Sequence, residues 1–130
     1  MNWKIVTSLL GFAVMAVCGD PAWVKITEPA NSAKVAMRPV VRGQVWTKDA
    51  SVVLVVHPTE TGDFWVQPPI KVEKDGSWQT RPYVGRAEDT GKGFEIRAVA
   101  AMKLDLKEGQ VLSDWPAAAA QSPVVAVTRE

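Results

Sequence analysis

Apolar and polar residues alternate along most of this chain, and the places where alternation fails say as much as the places where it holds. Trp23 to Thr27 alternates, with Val24 and Ile26 on one face, until Glu28-Pro29 stops it. Asn31-Ser32 reads as a turn. Ala33 to Met37 reads as a weak second strand of edge type, closed by Pro39. Between Val40 and Thr47, Val41, Gly43 and Val45 share one face, and Val40, Arg42, Gln44 and Trp46 share the other. Gly43 inside this pattern predicts a bulge or a close crossing. Lys48-Asp49 then turns the chain into Ser51 to Pro58, which is apolar on both faces. A Val-rich run of that length predicts a central strand covered on both sides, with another layer or a partner over its outer face.

Further along, Phe64 to Gln67 predicts a short strand that Pro68-Pro69 interrupts. Ile70 to Glu73 and Trp78 to Arg81 flank Lys74-Asp75-Gly76-Ser77, where Asp-Gly predicts a tight hairpin. Val84 to Gly93 carries three glycines and mixed charge and reads as a loop. Phe94, Ile96, Ala98 and Ala100 fall on one face of a long strand, with Glu95 and Arg97 opposite and Val99 joining them. Met102 to Pro123 is the least regular stretch. Within it, Ser113-Asp114-Trp115-Pro116 predicts a cap before one helical turn at Ala117 to Ala120. Val124 to Thr128 is the closing strand. About 7–8 short strands at roughly 8–12-residue spacing, with no long amphipathic helix, predict an all-β antiparallel sandwich over residues 23–130.

Residues 1–22 follow a different rule. Lys4 precedes an apolar stretch from Ile5 to Cys18, the pattern of a secretory leader and of an N-terminal hydrophobic helix. Three readings stay open. One is a cleaved signal peptide, with Ala16 and Cys18, or Val17 and Gly19, before the cut. The second is a lipoprotein signal ending at Cys18, for which Val17 is a poor preceding residue. The third is a retained membrane anchor, in which Trp3, Leu9, Leu10 and Phe12 meet lipid. Trp3 and Trp23 are about one bilayer core apart at helical rise, although Asp20-Pro21 would end a helix before Trp23. All three place the remainder outside the cytoplasm, periplasmic or extracellular.

The series Ile26-x-x-Pro29, Val41-x-Gly43-x-Val45, Val52 to Val56, Phe64-Trp65-Val66-Gln67, Asp75-Gly76-Ser77-Trp78 and Phe94-Glu95-Ile96-x-Ala98-Val99 resembles bacterial immunoglobulin-like domains. The resemblance spans roughly Trp23 to Arg129. It implies an Ig-like, disulfide-free sandwich of the kind used as an adhesive, spacer or docking module, and it implies no catalytic residue. A shared fold leaves function to the particular surface.

Composition narrows the chemistry. Lys plus Arg number 15 against 14 for Asp plus Glu, and Lys4 belongs to the leader, so the remainder is neutral. A nucleic-acid binder would need a basic face, so no nucleic-acid partner is expected. The single cysteine, Cys18, sits in the leader, which leaves the folded part without disulfide or thiolate chemistry. One histidine, His57, lies at a strand end without a partner at recognisable spacing, and reads as a structural hydrogen-bonding residue. Glu60 with Asp63, and Glu88 with Asp89, are acidic loop pairs too sparse for a calcium loop. Ser77 and Ser113 lack a nucleophile-elbow context, and Gly85, Gly91 and Gly93 lack a phosphate-cradling spacing. No cofactor, metal or catalytic constellation is expected.

Tryptophan remains. Trp78 follows a tight turn and Trp115 precedes a proline, so both read as core or lid residues. Trp46, beside Arg42 and Gln44, and Trp65, opposite Phe64 and Val66, are the candidates for outward-facing anchors. Exposed rings with Arg and Gln neighbours suit a protein interface or a sugar platform. The expected function is a non-catalytic, membrane-associated accessory or docking subunit whose partners are other proteins. A carbohydrate-binding module is the alternative.

Overall fold

A computed structural model describes residues 21–130. Residues 1–20 of the expected leader, with Trp3, Leu9, Leu10 and Phe12, lie outside the described residues. The described chain is all-β: β1 (Val24–Glu28), β2 (Ala33–Val35), β3 (Val41–Val45), β4 (Ser51–Pro58), β5 (Phe64–Val66), β6 (Ser77–Thr80), β7 (Gly93–Ala101), β8 (Val111–Leu112), β9 (Ala120–Gln121) and β10 (Val125–Arg129). A three-stranded sheet runs β1-β3-β6. A seven-stranded sheet runs β2-β10-β7-β4-β5-β8, with β9 alongside β7.

Period-two alternation selects the faces that meet. In β3, Val41 and Val45 are buried while Arg42 and Gln44 face solvent. In β7, Phe94, Ile96, Ala98 and Ala100 all point into the core. Val24, Val41, Val45 and Trp78 from the small sheet pack with Leu54, Ile96 and Val127 from the large one in a single cluster, so the two sheets enclose one core. Gly43 lies against Trp78 and the β1 backbone: a Cβ there would collide with the Lys25 carbonyl oxygen and the indole ring. The close crossing predicted at Gly43 is therefore real, and β1 carries a register irregularity between Ile26 and Glu28 beside it.

Strand β4 is covered on both faces, as its composition predicts. Val52, Leu54 and Val56 face the other sheet. Val55, with Val99 of β7 and Val66 of β5, is buried on the outer side. Trp115, from the irregular segment after β7, meets Phe64 edge-on at 4.8 Å on that side. The covering layer is thus part of the chain itself.

Three expectations are corrected. The helical turn at Ala117 to Ala120 does not form, because Ala120–Gln121 is β9 and pairs with β7. There the extended backbone serves the β7 ladder up to Pro123, which has no N–H to give. Ser122 bridges the break: its N–H donates to the Ala98 carbonyl at 2.8 Å, and its hydroxyl accepts from the Ala98 N–H at 2.9 Å. Second, the sheets are not wholly antiparallel, since β2 runs parallel to β10. Third, Ile70 to Glu73 is reduced to one bridge, Val72 to Trp78. The predicted hairpin stands, with Gly76 at φ +85° and the Glu73 N–H donating to the Ser77 carbonyl.

Candidate functional site

The two sheets differ in width, and the difference makes a cleft. The small sheet ends at β6 and Val72, so nothing from it covers the inner face of β5. Trp65 lies opposite Val56 in the β4–β5 register, which puts it on that inner face, yet it is 39% exposed. Pro82 to Gly93 runs across the gap instead and leaves a cleft of about 620 Å³. Val56 and Phe94 lie at its base. Trp65 and Tyr83, the latter 51% exposed, are its large rings.

Two buried polar side chains hold the walls. Gln67 is only 5% exposed. Its amide donates to the Trp65 carbonyl at 3.2 Å and accepts from the Tyr83 N–H at 2.7 Å. One side chain therefore ties the backbones that carry both rings. Arg129, 6% exposed, donates from Nη1 to the Val84 carbonyl at 2.8 Å and the Arg86 carbonyl at 2.7 Å. It pins the crossing segment just after Tyr83. Arg38 and Arg81 each donate to the other's carbonyl, and the Arg38 guanidinium lies 3.8 Å from the centre of the Tyr83 ring.

The two acidic pairs meet across this cleft. Lys92 reaches Asp89 at 3.3 Å and Glu60 at 3.9 Å. The Arg86 N–H, donating to Asp89 at 2.7 Å, holds that carboxyl below the ordinary carboxylate range, and Lys92 and the Arg129 charge add to the effect. Asp75 is lowered in the same direction by the hydroxyl of Ser77, 2.6 Å away, and by its N–H. Both groups have depressed folded-state values, so their stabilisation is complete above the unfolded value of about 3.9 and lost as pH falls through the lower folded values. The melting temperature is expected to hold between pH 7 and 5 and to drop below about pH 4. Asp75→Asn and Asp89→Asn should each make that drop shallower.

The four proposed partner-binding residues do not form one surface. Arg42 and Gln44 lie on the solvent face of the small sheet, where Arg42 pairs with Glu28 at 3.2 Å and bonds Gln79 at 3.1 Å. Trp46, just beyond β3, is half-buried against the core, and its N–H donates to the Trp23 carbonyl. Trp65 belongs to the other sheet, toward the far end of β4. Tyr83, Gln67 and Arg129 were missed by sequence reasoning. Tyr83 next to Pro82, before a glycine-bearing loop, was the one available signal.

His57 is a hydrogen-bonded residue on the outer face. Its Nδ1 lies 2.9 Å from Glu95 and its Nε2 2.7 Å from the Thr61 carbonyl. The imidazole stacks on Phe64 at 4.0 Å and meets Trp115 edge-on at 6.0 Å. Its partner lies 38 residues away in sequence, which no local spacing reveals. Among the described residues no group of three or more His, Cys, Asp or Glu is arranged to hold a metal ion, and no helix is long and apolar enough to cross a membrane. No protein-family profile and no curated protein matches this chain.

Proposed function

We propose that this chain is a non-catalytic Ig-like module that docks another protein through the cleft between Trp65 and Tyr83, outside the cytoplasm and near a membrane. The Ig-like reading is supported by strand order. The opening of the chain divides between the sheets, β1 beside β3 and β2 beside the last strand, while β4, β7 and β10 form the centre of the larger sheet. The leader pattern of residues 1–22 supports the location. The docking reading rests on one observation: the buried Gln67 amide joins the two backbones that present exposed rings. Rigid aromatic anchors cost little conformational entropy on binding and commonly dominate interface energetics.

The test is co-purification from detergent-solubilised membranes with wild type and with Trp65→Ala/Tyr83→Ala. The double variant should lose its partner while its melting temperature stays within a few degrees. Undiminished co-purification would sink the assignment. The same rings suit sugar stacking, so saturable wild-type binding on a glycan array would move the reading to a carbohydrate-binding module.

A further inference from the structure

Resting on the docking reading, we infer that the cleft takes a polypeptide segment bearing several lysine or arginine side chains. The chain as a whole is close to neutral, with a net charge of +1, but the cleft is not. Five carboxylates line it, from Glu60, Asp63, Glu88, Asp89 and Glu108, against the cations of Arg86 and Lys92. Lys92 is engaged with Glu60 and Asp89. Asp63, Glu88 and Glu108 have no ion-pair partner among the described residues.

These three free carboxylates come from three separate segments: the β4–β5 turn, the crossing segment and the loop before β8. Among the described residues no three acidic groups converge on one point, so a single ammonium does not serve all three, whereas a chain with cations at intervals can. The exposed Trp65 ring adds to the preference, since guanidinium and ammonium groups bind aromatic faces. The protein already does this internally, with Arg38 held over Tyr83. The acidic rim adds the anionic field that steers a cationic segment and weakens with salt.

The test uses the full chain and three probes: deca-arginine, deca-glutamate and cellohexaose. The readout is the indole N–H resonance of Trp65, assigned by Trp65→Phe. Deca-arginine should shift it saturably, with affinity falling as salt rises, and deca-glutamate should not. Asp63→Asn/Glu88→Gln/Glu108→Gln should bind deca-arginine roughly tenfold more weakly, the sum expected from three exposed charge pairs. An unmoved Trp78 indole resonance would confirm that this variant is folded. Equal binding by wild type and the triple variant, or a shift produced by cellohexaose alone, would overturn the inference. If Trp65→Ala/Tyr83→Ala loses the partner while the triple variant retains it, the docking site stands and the cationic occupant falls.

Discussion

Trp78→Ala should lower the stability of the folded chain by about 3–5 kcal/mol, the range for deleting a large aromatic from a packed core. Trp78 is 2% exposed and belongs to the cluster that joins the two sheets. Its ring lies across Gly43, the one position in β3 where the sheet carries no Cβ. Removing the indole leaves a void that β3 cannot close, because its backbone is fixed by the β1 and β6 ladders on either side. Trp78→Phe should cost much less. Its smaller ring gives up contacts, but it also removes a buried indole N–H that finds no acceptor among the described residues. Gly43→Ala probes the same contact from the other side, as an overpacking change of at least ~1–3 kcal/mol. The double variant should be less unstable than the sum, since the lost ring frees part of the space the new methyl needs. Urea midpoints at constant m-value measure all four proteins. Additive losses would mean that the two residues do not share one space.

What could be read in the sequence was whatever depends on neighbours along the chain. The faces of β7 follow from Phe94, Ile96, Ala98 and Ala100 recurring at every second position. The turn at Gly76 follows from Asp-Gly, and the two-sided burial of β4 follows from Val at both parities. The widths of the sheets do not follow from such patterns. Alternation places Trp65 opposite Phe64 and Val66, and that is correct. It does not say that Phe64 and Val66 are covered on the outer side while Trp65, on the inner side, overhangs a sheet that stops short. The usual link between inner and buried fails there, because the small sheet has three strands where the large one has six in a row. Trp46 fails for the opposite reason: it shares the parity of Arg42 and Gln44, but β3 ends at Val45 and the chain then folds the ring back against the core. Helical caps mislead similarly at Ala117 to Ala120, where an open position beside β7 outweighs a weak local preference. The cleft itself depends on contacts such as Gln67 to Tyr83, 16 residues apart, and Arg129 to Val84, 45 apart.

Arg129→Met should cost about 1–3 kcal/mol and should also loosen the cleft wall, which separates it from an ordinary core substitution. Methionine keeps most of the apolar stem, so the loss is chiefly that of the guanidinium. The Val84 carbonyl then has no donor, at about 1–3 kcal/mol for a buried acceptor left unmet, while the Arg86 carbonyl keeps the Asp89 N–H at 3.1 Å. Against this, the variant relieves the desolvation of a buried cation whose Nε has no partner, which offsets part of the loss. The two carbonyls flank Gly85 immediately after Tyr83, so the segment between Tyr83 and Asp89 loses its inner attachment. Amide exchange there should quicken by one to two orders of magnitude more than in β7, which keeps its own ladder. The Asp89 carboxyl should also move back toward its ordinary value, because the Arg129 charge is one of the causes holding it down. Arg129→Lys should fall between wild type and Arg129→Met, since an ammonium on a shorter stem keeps the charge but does not reach fully to the two carbonyls that Nη1 serves. A uniform rise in exchange across the whole fold would instead make Arg129 a general core residue, and its connection to the cleft would be lost.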